Sequence, residues 1–195
     1  STKSGEEAFA RLNYFKRGLK LPIPTYDTEE ITTHPDFYNI CEGIRQVSSE
    51  CISITTNGYT LTEENVKKIA NYKPITISLS LNATKPETRK WLMRGHYRRG
   101  LESLEFLHKY RIPCAVTIVA WPRVSIEEIV ESVRYVDQFN ARSISILLGG
   151  YTKLFPNPPE YRIPEYWNEV IDKIQYLREE IETPFIIQPR LYEEQ

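Results

Sequence analysis

A chain of 195 residues, 41% hydrophobic and 26% charged, suits one globular domain and excludes a disordered polypeptide. A net charge of -1 without a long block of one sign argues against a nucleic-acid or anionic-membrane surface. No apolar run approaches the roughly 20 residues of a membrane helix, and the start carries no signal-peptide pattern.

Residues 1–34 hold no clear strand, and "LPIPTYDTEEITTHP" reads as loop. A helix is predicted from about Pro35 to Val47. Apolar, β-branched runs then begin near Ile52, Ile75, Cys114 and Ile144. Each gap holds a helical pattern opened by a capping-box spacing: Thr60 with Glu63, Thr84 with Glu87, and Ser125 with Glu128. After the second, Leu101, Leu104 and Leu107 mark a further, longer helix to about Tyr110, with "RGHYRRG" joining the two. Residues 150–164 are rich in proline and aromatics. A last helix, about Pro164 to Ile181, precedes a short strand in "PFIIQPR". Strand and helix alternating at roughly 30-residue spacing predict βαβ units and a parallel sheet. The organisation expected is an irregular segment 1–34, a βα core 35–150 and an extension 151–195.

The strands are unusual for that class. Parallel strands are covered on both faces and read as nearly continuous apolar runs. Here Ile75, Ile77, Leu79 and Leu81 alternate with Thr76, Ser78, Ser80 and Asn82. Ile52 and Ile54 alternate with Ser53, Thr55 and Asn57, and Ile144 and Ile146 with Ser145 and Gly149. The third strand is mixed, with Val119 beside Thr117. An antiparallel sheet with one wet face would explain alternation, but helices separate the strands. A filled barrel would need bulky branched residues on the second face. The reading that fits is a curved parallel sheet whose concave face lines a polar cavity. Its working end is the carboxyl end of the strands, near Thr56–Gly58, the Asn82 loop, Trp121–Pro122 and Gly149–Gly150.

In order and spacing, "ISITTNGYTLTEENVKKI", "ITISLSLNATKPETRKWLMRG", "GLESLEFLHKYRIPCAVTIVAWP" and "EEIVESVRYVDQFNARSISILLGG" resemble the radical S-adenosylmethionine (SAM) enzymes. The resemblance covers about residues 35–150 and implies an α/β fold, part of a partial (β/α)6 TIM-like barrel. It implies SAM as cofactor, with Ser78, Ser80, Asn82 and Thr117 toward ribose and amino-acid portion, and Ser145 to Gly149 toward adenine. Asn57, on the first rim, completes the candidate set. The family's [4Fe–4S] cluster sits on a CxxxCxxC loop, which this sequence lacks: Cys41, Cys51 and Cys114 are far apart. The expectation is therefore the carboxyl-terminal part of a longer enzyme, holding the cluster only with a preceding part, or else a degenerate barrel. The substrate, small molecule or peptide, is not identified by the sequence.

An odd, sparse cysteine count suits a reducing cytoplasm, with Cys51 and Cys114 read as buried thiols at strand starts. Arg89 and Arg94 are candidates for a carboxylate contact or for solvent. His34, His96 and His108 are scattered, and the paired glutamates, Glu29–Glu30 among them, read as solvated. Two rival functions stand beside the resemblance. Gly149, Gly150 and Lys153 would serve a phosphate-binding barrel enzyme without radical chemistry. Residues 151–163 would serve an interaction module that meets a partner protein.

Overall fold

The computed structural model describes residues 30–93, 98–121, 123–148 and 164–188. Its centre is one sheet of five strands: β1 (Ile52–Thr56), β2 (Ile75–Ser80), β3 (Cys114–Ala120), β4 (Ser143–Leu148) and β5 (Phe185–Gln188). All neighbours pair in parallel, and their order across the sheet is their order in the chain. The antiparallel alternative is thereby excluded, and the strand in "PFIIQPR" is present as β5.

Among the described residues six α-helices connect and flank the strands: α1 (Phe37–Val47), α2 (Glu63–Ile69), α3 (Pro86–Met93), α4 (Arg99–Lys109), α5 (Ile126–Asp137) and α6 (Pro164–Tyr176). The alternation has the consequence expected of it. Ile75, Ile77 and Leu79 of β2, Val116 and Ile118 of β3, and Ile144 and Ile146 of β4 are buried in one cluster. Val66, Leu104, Leu107, Ile129 and Val133 of the helices complete it. Each such side chain stabilises the fold by about 1.5–3 kcal/mol through removal from water. The intervening residues Ser78, Ser80, Thr117 and Ser145 are only half-buried. The sheet thus has one dry apolar face and one less buried face that is polar on β1 and β2 and mixed on β3 and β4, where Val119 and Leu147 share it with Thr117 and Ser145.

Local signals hold unevenly. Ser125 caps α5 as its spacing predicts, its hydroxyl accepting from the Glu128 N–H at 3.2 Å. The cap of α2 is Thr62, not Thr60, because Thr62 accepts from the Asn65 N–H at 3.2 Å. Thr84 does not close a capping box either: its hydroxyl lies 3.2 Å from that of Ser132 on α5. The two helices expected on either side of "RGHYRRG" are α3 and α4. Cys41 and Cys114 are buried, whereas Cys51 is exposed, since it precedes β1 rather than sitting on its packed face.

Candidate functional site

The row of polar residues across the sheet is set by strand register. Ser80 pairs with Thr117, and Thr117 with Ser145, so β2, β3 and β4 each place a hydroxyl at one level. Ser78 lies two residues earlier on the same face, opposite Ala115 of β3 and Thr55 of β1. None of the hydroxyls of Ser78, Ser80, Thr117 and Ser145 finds a hydrogen-bond partner among the described residues.

Just beyond β2 the chain makes a tight turn at Asn82. The N–H groups of Leu81 and Asn82 both donate to the Thr117 carbonyl, at 3.0 and 3.1 Å. The Ala83 N–H donates back to the Leu81 carbonyl at 2.9 Å. That closes a three-residue turn with Asn82 at its centre, φ 66°. Gamma turns with positive φ are rare and strained. The Asn82 amide nitrogen donates to Met93 Sδ at 3.0 Å, which leaves its Oδ1 buried with no partner. A buried acceptor left unpaired costs about 1–3 kcal/mol. The buried carboxamide oxygen and the half-buried hydroxyls are therefore polar groups without a partner among the described residues.

Asn57 is placed differently. It is exposed at the end of β1, its Oδ1 accepting from the Tyr59 N–H at 2.8 Å within its own loop. Gly58, at φ 82°, makes the turn. Gly149 lies outside the described residues, as do Gly150, Lys153, Arg94, His96, Pro122 and the segment 151–163. Register puts Ser80, Thr117 and Ser145 on one level, Ser78 one level earlier on the same face and Asn82 just past the end of β2, while Asn57 follows Thr56, the partner of Leu79, at the end of β1.

Two residues have roles that the sequence concealed. Glu30, read as solvated, accepts through Oε1 from Thr56 Oγ1 at 2.5 Å and through Oε2 from the Asn57 N–H at 2.7 Å. It also accepts from the Thr32 hydroxyl. Arg89 does not meet solvent; it is 1% exposed. Its Nη1 donates to the carbonyls of Leu81 and, at 3.0 Å, Ala83. Burial lowers the Arg89 pKa to about 10, so it stays charged at neutral pH.

No group of three or more His, Cys, Asp or Glu suited to a metal occurs among the described residues. The cysteines do not fit an iron–sulfur cluster. Burial pushes the Cys41 thiol up to about 11 and Cys114 up to about 12, which disfavours the thiolate a metal requires. The polar wall is a different matter: unpaired hydroxyls and an unpaired carboxamide oxygen fit a ligand carrying ribose hydroxyls and an ammonium. No helix among the described residues is long and apolar enough to cross a membrane.

Comparison with known proteins adds to this geometry. The profile of the Radical SAM superfamily matches residues 28–136. Crystal structures of SuiB from Streptococcus suis share the fold. One has TM-score 0.76 at 17% identity, covering 93% of this chain and 42% of that one. SuiB bound to S-adenosylmethionine gives 0.65 at 19%, covering 82% and 37%. SuiB bound to the precursor peptide SuiA gives 0.64 at 21%, covering 82% and 36%. The chain thus spans less than half the length of these structures, and no curated protein matches it. The parallel sheet is that of a partial TIM-like barrel, and a family profile that covers more than half of the chain decides membership. The chain belongs to the radical SAM superfamily.

Proposed function

We propose that residues 35–150 form the wall on which a radical SAM enzyme binds S-adenosylmethionine, with 1–34 and 151–195 as flanking segments. The unpaired Asn82 Oδ1, two residues past Ser80 in the chain, carries the reading. Asn82, Ser80, Ser78 and Thr117 hold the amino-acid and ribose portions. Ser145 and Gly149 approach the adenine, and Asn57 closes the rim beyond β1. When bound, SAM supplies the radical chemistry for which the family is named. The chain's own part is to orient it: hydroxyls bond its polar edges, and the Asn82 oxygen accepts from its ammonium or a ribose hydroxyl. A [4Fe–4S] cluster would need thiolates from outside these 195 residues, and a cytoplasmic setting would keep such a cluster and the three free thiols reduced.

The substrate class we favour is a peptide. Two things support it: the likeness to SuiB bound to its precursor peptide, and the exposed aromatics Tyr59 and Trp91. Tyr59 follows β1 directly, and Trp91 faces the Arg123 guanidinium at 6.0 Å. Aromatic and arginine side chains of this kind suit a polypeptide surface. Family membership favours this reading over a phosphate-binding barrel.

Calorimetric titration with SAM tests the site. Asn82→Ala and Ser80→Ala should each weaken binding about tenfold, the value of one lost hydrogen bond of ~1.4 kcal/mol. Unchanged affinity in both variants overturns the assignment. Binding of phosphosugars in place of SAM would restore the phosphate reading.

A further inference from the structure

The end of β2 is held from beneath by one buried cation. Arg89, on the first turns of α3, reaches back to the loop it follows and donates from a single nitrogen to the carbonyls on either side of Asn82. The turn it bridges is the strained one, with Asn82 at φ 66°. Room for the guanidinium is made by α4: a Cβ at Gly100 would stand 2.2 Å from Arg89 Nη2. A buried guanidinium is expensive unless its donors are used. Here Nη1 donates to main-chain carbonyls next to the candidate ligand group. We propose that Arg89 is a positioning residue for the cofactor site: it pins the Leu81 and Ala83 carbonyls so that Asn82 keeps its left-handed turn and offers Oδ1 to the ligand. The inference rests on the reading of Asn82 as a SAM contact. The spacing Asn82–Arg89–Gly100 is then one device, in which the glycine admits the arginine and the arginine sets the asparagine.

A double-variant cycle on the whole protein tests this, with SAM titrations of wild type, N82A, R89Q and N82A/R89Q. R89Q should weaken SAM binding about tenfold in the wild-type background and less than about twofold once Asn82 is gone, the non-additivity of residues acting as a unit. R89K, which keeps a cation able to donate to both carbonyls, should recover most of the affinity. Hydrogen exchange at the Asn82 and Ala83 amides should quicken in R89Q and return toward wild type in R89K. Equal losses in both backgrounds, or no loss in either, overturn the positioning role. Should R89Q fail to fold, G100A carries the same cycle, since its methyl displaces the guanidinium while every hydrogen-bonding side chain stays. SAM binding that survives N82A undamaged sinks the site reading itself; loss in N82A without loss in R89Q or G100A sinks only the inference about Arg89.

Discussion

The ends of β1 and β2 solve one problem in opposite ways. Both strands must turn sharply, and both carry an asparagine there. After β1 the positive φ falls on Gly58, at 82°, and Asn57 uses its carboxamide oxygen within its own loop. After β2 the positive φ falls on Asn82, and its carboxamide oxygen is left unpaired. The β1 end is tied by a half-buried carboxylate, Glu30, that approaches from the preceding segment. The β2 end is tied by a buried guanidinium from the following helix. One turn spends its polar atoms on itself. The other stores strain and leaves a carboxamide oxygen unpaired, the pattern expected if the proposed cofactor contact is made there.

Substitutions can break or sharpen that contrast. Gly58→Ala should be the most damaging to stability. A Cβ there would meet Ser103 Oγ at 2.5 Å and Leu79 Cδ1 at 2.9 Å, at a φ that alanine resists. About 3 kcal/mol should be lost, read as a lowered Tm. Wild-type melting would mean the β1 turn is looser than described. Glu30→Gln should cost less, about 1–2 kcal/mol, because charge-assisted hydrogen bonds become neutral ones. The loss should appear as faster hydrogen exchange at Asn57, with Asn82 unaffected; loosening of both ends would join what the structure separates. Asn82→Gly should stay within about 1 kcal/mol of wild type, since glycine relieves the strained φ. SAM affinity should nonetheless fall about tenfold, as for the alanine variant. A variant that is both destabilised and fully binding would reverse the roles assigned to the two turns.

The smallest effect is chemical. At pH 8 a thiol reagent should label Cys51 at once, and Cys41 and Cys114 only on unfolding. Burial raises both hidden thiols above their ordinary value of 9.0, to about 11 and about 12. The folded state holds those protons more tightly than the unfolded chain does. Their contribution is intact below pH 9 and is lost as pH rises toward 11–12, so the unfolding midpoint should decline over that range. Ready labelling of Cys114 in the native state would show that the helical face of β3 is open.

Much of this architecture was legible in residue spacing. Alternation identified the two faces of β2, β1 and β4, because side-chain direction has period 2 and one face must be dry. The interruptions between strands carried the helical period, so the parallel arrangement followed. The α2 cap was misread because "TLTEEN" offers two threonines, and Glu63 sits three after the wrong one. Cys51 was misread because an apolar run predicts packing only for residues inside the strand. The hydroxyl row could be anticipated residue by residue, but its level depends on register, which alternation alone does not fix. Glu30 and Arg89 were invisible for a plainer reason. Their partners are main-chain groups and hydroxyls brought near by tertiary structure, and an arginine that binds carbonyls leaves no pattern of acidic partners. The nearest signal was Gly100, a glycine inside a helical pattern, where it lowers helix stability and so needs a packing reason.

The strand order has a bearing on synthesis. Each strand of this sheet pairs with the strand that precedes it in the chain, across separations of roughly 20–40 residues. Parallel sheets in which distant strands interleave must wait for late segments before early ones can be buried. Here every βα unit leaving the ribosome finds its template already laid down, so the sheet can grow by accretion from β1 toward β5. A stalled nascent chain ending just after α5 should therefore already protect the amides of β2 against exchange, before β4 has been made.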